Sequence, residues 1–343
     1  MKFDITNIKS TYIIAEMSAN HAGSLARAKK IIHAAKEAGA DCVKIQTYTP
    51  DTLTIDCNNK YFHIDNGTWE GENLYHLYEQ AYTPWEWQAE LKAEAETIGI
   101  DFFSTPFDRS AVDFLEDIGV EFYKIASFEV VDIPLIEYVA SKGKPIIMST
   151  GMASLGEIED AVCAIRSQGN EQIVLLRCAS AYPAITDEMN LSTMVNMRET
   201  FGVPVGLSDH SMGSVGAVTA VALGASIIEK HFCLDRSIKN PDASFSMNPS
   251  EFQQMVKDIR QAERAIGIVK YGVNDQEKNN VTFRKSIFCV KDVRAGELLT
   301  DDNIKIIRPG YGIKPIFYKD VIGRRALNDI KRGTPLTMDM FGV

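Results

Sequence analysis

Two histidines stand at the ends of apolar runs: His210 closes VPVGLSDH, and His231 lies in SIIEKHF. A lone histidine in such a place is usually a core residue with its hydrogen bonds satisfied. Two of them at matching positions, with no cysteine beside them, suit a divalent metal that keeps open coordination positions. The second run also sets Glu229 and Lys230 directly before its histidine. Burying three ionisable groups in a row is costly unless they are paired or bound to something. In an extended strand residues i and i+2 share a direction. Glu229 and His231 therefore point one way, and Lys230 the other, where a structural ion pair is its plain role. Ser208 and His210 share a face in the same manner.

Other apolar runs end alike. Glu16 and Ser18 close YIIAEMS, Lys44 and Gln46 lie in CVKIQTY, and Ser104 and Thr105 lie in DFFSTP. Lys124 and Ser127 close FYKIAS, Ser149 and Thr150 close PIIMST, and Tyr182 follows IVLLRCAS. A lysine turned inward needs an anion. Few carboxylates are at hand to serve both Lys44 and Lys124, so an anionic ligand is expected, with serine and threonine hydroxyls suited to phosphate and carboxylate oxygens. Pairing of both lysines with internal Asp or Glu is the plainer alternative. His21, in the turn after the first run, is either structural or packed behind the site. His33, His63 and His76 receive no role.

These residues must be positioned by a regular scaffold. The runs at 12–18, 42–48, 101–106, 122–127, 145–150, 173–180, 203–210 and 226–232 alternate with amphipathic stretches at 24–40, 84–98, 108–117, 132–142, 154–168, 190–201, 213–223 and 249–266. Eight strands alternating with eight helices predict an α/β fold, a (β/α)8 TIM barrel over residues 1–267. A doubly wound open sheet is the rival, but it carries a glycine-rich phosphate loop after its first strand, and SANHAGS is not one. In a barrel the C-terminal strand ends form the active-site face. Strands seven and eight are neighbours there, roughly 4.8 Å apart, so His210 and His231 are expected to meet. The long connection 49–81, with Tyr61, Phe62, Trp69, Tyr75 and Tyr78, reads as a lid or substrate wall, or else as scaffold packing.

Residues 268–285 are polar and read as a linker. The remainder, 286–343, holds an imperfect repeat: DVRAGELLTDDNI at 292–304 aligns with DIKRGTPLTMDMF at 329–341. Two such units predict a small β-rich domain with pseudo-twofold symmetry. Its RPGYG turn begins with Arg308, a residue suited to reaching into a neighbouring site.

The totals exclude several classes. Net charge is −10, from 36 basic and 46 acidic residues, without a Lys/Arg block, which speaks against nucleic acid as a partner. No apolar run approaches the length of a membrane span. The N-terminus lacks a signal-peptide core. Six cysteines are scattered with no C-x-x-C pair, so no disulfide framework or zinc–thiolate site is expected, and the expected location is the reducing cytoplasm.

Taken together, AEMSANHAGS, VKIQTY, FSTPF, YKIAS, MSTGM, LSDH and EKHF resemble the sialic acid synthase family, and the tail resembles its antifreeze-like (SAF) domain. The resemblance covers nearly the whole chain. It implies condensation of phosphoenolpyruvate with an amino-sugar aldehyde, a divalent metal (Mn2+, Mg2+ or Co2+), and a homodimer with exchanged C-terminal domains. By motif, His210 and His231 would bind the metal. Lys44, Thr105, Lys124, Ser127, Ser149 and Ser208 would hold phosphoenolpyruvate. Glu16 and Glu229 would be the catalytic carboxylates, with Glu16 as general base. Gln46, Phe128, Ser180, Tyr182 and Asp242 would face the sugar, joined by Arg308 of a partner subunit.

The chain departs from the N-acetylneuraminate type at ASFE (126–129) and ASAYP (179–183), where that type has GSGE and TNxYP. Ser180 replaces a sugar-binding asparagine, and Phe128 adds an apolar ring. Both changes look like the pseudaminic acid synthases, whose substrate is a 6-deoxy, 2,4-diacetamido sugar of altro configuration. A methyl group needs an apolar wall, and a missing hydroxyl needs no donor. The alternatives are the same chemistry giving legionaminic or N-acetylneuraminic acid, a Schiff-base aldolase using Lys44 or Lys124, and a non-catalytic sugar- or ice-binding protein.

Overall fold

A computed structural model describes residues 8–342. The eight apolar runs form β1 (Tyr12–Glu16), β2 (Cys42–Thr47), β3 (Asp101–Pro106), β4 (Tyr123–Ile125), β5 (Ile146–Ser149), β6 (Ile173–Cys178), β7 (Val205–Asp209) and β8 (Ile227–His231). They close in sequence order into a barrel, every neighbouring pair parallel. The expected TIM-type α/β barrel is thus present. Its strands are one or two residues shorter at some ends than the apolar runs, because the last polar residues already belong to turns.

The helices start where capping chemistry allows. Ser24 accepts from the Arg27 amide to open Leu25–Glu37. Asp108 accepts from Ser110 and Ala111 to open Arg109–Asp117. Reciprocal capping boxes, Ser154 with Glu157 and Asn248 with Glu251, open Leu155–Ser167 and Pro249–Ile266. Gly39 ends the first helical stretch at φ 93°, and a Cβ there would stand 3.1 Å from Val256.

Side-chain alternation splits the apolar residues into two cores. Ile13, Ala15, Val43, Ile45 and their equivalents face the helices. Ile14, Cys42, Phe103, Phe122, Ile147, Val174, Leu176 and Ile227 fill the barrel interior, where the Phe103 and Phe122 rings lie 4.3 Å apart. This interior plug is the floor on which the site rests.

The chain divides into two compact units, residues 1–267 and 268–343. Within 268–285, residues Asp275–Phe283 form 3-10 turns, and the Gly310 amide donates to Thr282 O at 2.9 Å, tying this end of the stretch to the rest of the second unit. That unit contains β9 (Ser286–Cys289) antiparallel to β10 (Ile304–Ile307), and β11 (Arg325–Ala326) antiparallel to β12 (Phe341–Gly342). The sequence repeat is a structural one. Val293 and Ile330 exchange both backbone hydrogen bonds, at 2.8 and 2.7 Å. Asp292 accepts from the Arg332 amide and Asp329 from the Ala295 amide, each at 2.8 Å. Ile287, Leu299, Ile304 and Leu336 form its core. Among the described residues, no helix is long and apolar enough to cross a membrane, and all six cysteines are free.

Candidate active site

Two residues beyond each apolar floor residue, the strand again points inward. Ile14 leads to Glu16, Cys42 to Lys44, Phe103 to Thr105, Phe122 to Lys124, Ile147 to Ser149 and Ile227 to Glu229. One tier of the barrel interior is hydrocarbon and the next is ionic. All six of these polar residues are buried. Two residues further still come Gln46, His231 and, from Gly206 through Ser208, His210. Alternation alone therefore turns these strand-end residues into the barrel interior.

The ionic tier is tightly joined. Lys44 lies 2.5 Å from Glu16 Oε2 and 3.7 Å from Glu229 Oε1, and donates to Thr105 Oγ1 at 3.2 Å. Lys124 lies 3.0 Å from Glu229 Oε1, which also accepts from Ser208 Oγ at 3.2 Å. Both lysines thus have internal carboxylate partners. The expectation that carboxylates are too few for both is corrected here: Glu229, reaching across the barrel, serves the two at once. An anionic ligand would have to share these ammonium groups with Glu16 and Glu229.

The two glutamates differ in environment. Burial pushes Glu16 up to about 7, against the pull of the Lys44 ammonium and with the Glu229 charge adding to the rise. Burial acts on Glu229 in the same direction, but the Lys124 and Lys44 ammonium groups hold it below the usual carboxylate range. Such a split assigns roles: the raised carboxyl is suited to exchange a proton near neutrality, and the depressed one to remain an anion. Burial holds Lys124 below its ordinary value. For Lys44, Glu16 and Glu229 outweigh burial and hold it above.

Buried polar atoms without a hydrogen-bond partner gather here: Ser149 Oγ, Glu229 Oε2, His231 Nδ1 and Glu129 Oε2. Folded proteins leave few such groups, and each calls for an explanation. A ligand that completes them supplies one. Glu129 was not singled out from the sequence. It lies on the 3-10 turn Ser127–Val131, and burial, with Asp132 adding, raises it to about 7. It sits in a turn, where strand alternation gives no signal.

At the mouth the His210 and His231 rings stand 5.3 Å apart. His210 Nδ1 lies 3.1 Å from Ala179 O and 3.7 Å from Cys178 Sγ, which leaves Nε2 for another partner. Burial raises the Cys178 thiol, but the adjacent His210 and the Ser127 and Ser180 hydroxyls bring it down to about 6. Burial, then His210 and Lys44, push His231 well below its ordinary value, so its ring is neutral. A neutral imidazole with an unpartnered nitrogen, facing a second imidazole with one nitrogen free, fits a divalent cation. Among the described residues no third His, Cys, Asp or Glu completes a ligand cluster, so the other positions would fall to water and substrate oxygens.

Of the sugar-facing candidates, Tyr182 packs directly against this pair. Tyr182 stacks 4.3 Å from the His210 ring and 5.1 Å from Phe245, which lies 5.0 Å from His231. Trp69, from the long 49–81 connection, packs 5.4 Å from Tyr182 and donates through Nε1 to Pro241 O at 3.0 Å. Thr68 donates to the Tyr182 carbonyl. The connection thus crosses to the loops after β6 and β8 and forms a wall. Gln46 Nε2 reaches Glu16 Oε1 at 3.4 Å. Asp242 is buried, accepts from the Ala19 amide at 3.0 Å, and is raised by burial. Ser127 Oγ accepts from the Gly151 amide at 3.1 Å. A Cβ on Gly151 would stand only 2.0 Å from Ser180 Oγ, so this glycine is what lets Ser127 and Ser180 converge. Phe128 is 59% exposed. Arg308 is an exposed residue of the second unit. His21 is structural: Nδ1 accepts from the Gly23 amide at 3.1 Å, Nε2 meets Thr83 Oγ1 at 3.2 Å, and burial with Arg27 pushes it down to about 4.

Residues 31–271 match the model of the NeuB family, and residues 284–342 that of the SAF domain. The chain is 45% identical over 333 residues to the pseudaminic acid synthase of Campylobacter jejuni subsp. jejuni serotype O:2, covering 97% of each chain. It is 46% identical over 329 residues to the pseudaminic acid synthase of Helicobacter pylori, covering 95% of this chain and 96% of the other. Among solved structures, the N-acetylneuraminic acid synthetase of Leptospira borgpetersenii, in complex with citrate, superposes with a TM-score of 0.71 at 32% identity, covering 80% of this chain and 91% of that one.

Proposed function

The chain belongs to the NeuB family, and from that premise we propose that it is a pseudaminic acid synthase, condensing phosphoenolpyruvate with open-chain 2,4-diacetamido-2,4,6-trideoxy-altrose to give pseudaminic acid and phosphate. The observation that carries this reading is the likeness, along nearly the whole chain, to two pseudaminic acid synthases. The ionic tier supports it. Lys44 and Lys124, with the hydroxyls of Thr105, Ser127, Ser149 and Ser208, form a cradle for the phosphate and carboxylate of phosphoenolpyruvate.

His210 and His231 would hold the divalent metal, which as a Lewis acid would polarise the sugar aldehyde. The chain's own groups do the rest. The lysines and serines fix the enol phosphate with its C3 toward the aldehyde carbon, a positioning effect that removes much of the entropic barrier. As C3 forms the new carbon–carbon bond, C2 becomes an oxocarbenium ion, and the anionic Glu229 stabilises that charge electrostatically. Glu16, poised near neutrality, accepts a proton from the water that adds to C2, while the alkoxide left by the aldehyde oxygen takes up one proton to become the new hydroxyl, so that the two transfers balance. The C–O bond to phosphate then breaks, leaving the 2-keto acid. Phosphate release from phosphoenolpyruvate, measured with the altrose sugar, its legionaminic counterpart and N-acetylmannosamine, tests the assignment. The expected order places the altrose sugar first; a higher kcat/KM for N-acetylmannosamine would move the chain to the neuraminate branch. Borohydride trapping of a lysine adduct with pyruvate, with activity retained in EDTA, would instead identify an aldolase.

The reading extends to a homodimer in which Arg308 of one chain serves the site of the other. Exposed apolar side chains on the connections after β4, β5, β6 and β7 and the first turns of the helices that follow, Phe128, Val131, Met152, Leu155, Ile185, Met212 and Val215, support a covering partner at the site face. Arg308→Ala and His210→Ala homodimers should each be nearly inactive. Co-refolded together, they should recover roughly a quarter of wild-type activity, since exchange is reciprocal. A mixture that forms heterodimers and stays inactive would place Arg308 outside the partner's site.

A further inference from the structure

Lys230 and Asp209 are the residues directly before the two mouth histidines, and alternation turns both away from the barrel interior. Each is almost wholly buried. The Lys230 ammonium stands 2.7 Å from Asp209 Oδ2 and also donates to Ser211 O and, at 3.2 Å, to Gly213 O. All three of its protons are used. Asp209 Oδ1 in turn accepts from the Ser211 amide at 2.8 Å and the Ser211 hydroxyl at 2.7 Å.

The location of this cluster gives it a purpose. The paired register of β7 and β8 ends at Asp209 and Lys230, one residue short of His210. Beyond that point the chain turns away toward the helix Val215–Ala222. His231 is anchored from its own side: its carbonyl accepts from the Met247 amide, and the next amide donates to Glu16 O. His210 is anchored from the loop after β6, its carbonyl accepting from the Ala184 amide at 3.0 Å. Lys230 reaches from the one strand to residues 209, 211 and 213, which bracket the other histidine.

We propose that the buried Asp209–Lys230 pair is a clamp that sets the separation of His210 and His231, making both residues positioning residues for the metal site. This rests on the reading that the two histidines bind a divalent cation. Buried ion pairs are weak contributors to stability, whereas groups behind metal ligands fix their geometry, and disturbing them weakens metal binding by about tenfold or more.

The test is a Mn2+ titration of the full-length protein, with free ion followed by electron paramagnetic resonance, alongside thermal melts and phosphoenolpyruvate binding without metal. Lys230→Met keeps the stem and removes the charge, but it leaves Asp209 buried without its counter-ion and so can compromise folding. The double variant Asp209→Asn/Lys230→Met removes both charges at nearly constant volume, and Ser211→Ala removes one hydroxyl only. In the folded variants Mn2+ affinity should fall, by about tenfold in the double variant and less in Ser211→Ala, while metal-free phosphoenolpyruvate affinity stays at the wild-type value. A merely structural pair would lower Tm and leave Mn2+ affinity unchanged in both variants, and that result overturns the proposal. Wild-type protein that binds no divalent cation would instead overturn the metal reading itself.

Discussion

The barrel holds two sets of buried ions that differ in one respect. Inside, Lys44, Lys124, Glu16 and Glu229 pair with one another, yet Ser149 Oγ, Glu229 Oε2 and His231 Nδ1 lie among them with no hydrogen-bond partner. Outside, between strands and helices, Lys230 and Asp209 leave no proton or carboxylate oxygen unpartnered. Both sets bear the desolvation cost of burial. Only the inner one also leaves polar atoms unsatisfied, a cost that makes sense where a ligand completes the bonding. Complete satisfaction marks scaffold; incomplete satisfaction at equal burial marks a site.

The largest effects should come from removing inner groups that no neighbour replaces. His210→Ala and His231→Ala should each lower kcat/KM by at least about 1000-fold, several kcal/mol of transition-state stabilisation, and lose bound Mn2+ by elemental analysis. Full activity of wild type in EDTA, with metal shown absent, would break the comparison at its most exposed point.

Next comes the proton carrier. Glu16→Gln should reduce kcat by about 100- to 10,000-fold. The wild-type rate should also depend on pH in a definite direction. The Glu16 carboxyl is raised to about 7, and in the proposed mechanism its base form is the active one, so kcat should fall about tenfold per unit below pH 7 and level off above it. The residual rate of Glu16→Gln should lack that acid limb. An unchanged limb in the variant would assign it to another group, with Glu129, also near 7, the first to examine.

A smaller effect is expected at Ser180. Its hydroxyl lies near Cys178 Sγ, at 3.5 Å, in the cleft that Gly151 leaves open. Ser180→Asn should narrow the preference for the 6-deoxy diacetamido sugar over N-acetylmannosamine by about tenfold, the scale of one polar contact in a pocket. Ratios of kcat/KM for the two sugars decide it; an unchanged ratio places the discrimination elsewhere, with Trp69 and Phe245, which pack on Tyr182, the next to examine.

Much of this was legible in the sequence, for a physical reason. Barrel strands alternate, so an apolar residue followed two places later by Glu, Lys, Ser or Thr announces an inner tier of polar groups, as in Ile14–Glu16 and Ile227–Glu229. The outward direction of Lys230 followed from the same rule. What alternation does not report is which side chains meet across the barrel, and for that reason the shared use of Glu229 by both lysines was missed. Nor does it extend into turns. Glu129, Phe245 and the Cys178–His210 contact depend on loop paths that no periodicity encodes. Trp69 was visible as one aromatic among several, and only the fold shows it walling the mouth. The small domain was readable because its repeat conserves the aspartates and glycines that build each half.

The most direct test removes one hydroxyl from each set. Ser149 and Ser211 are equally buried, but Ser149 Oγ has no partner and Ser211 Oγ bonds to Asp209. The measurement is Tm together with the Kd for phosphoenolpyruvate, without metal, for Ser149→Ala and Ser211→Ala. Ser149→Ala should leave Tm unchanged or slightly higher while weakening phosphoenolpyruvate by about tenfold or more, the effect of one hydrogen bond to a charged ligand. Ser211→Ala should lose about 1.5–3 kcal/mol of stability and bind phosphoenolpyruvate as wild type does. A stability loss in Ser149→Ala with unchanged phosphoenolpyruvate affinity would show that the unpartnered inner groups serve the fold, and would contradict the account.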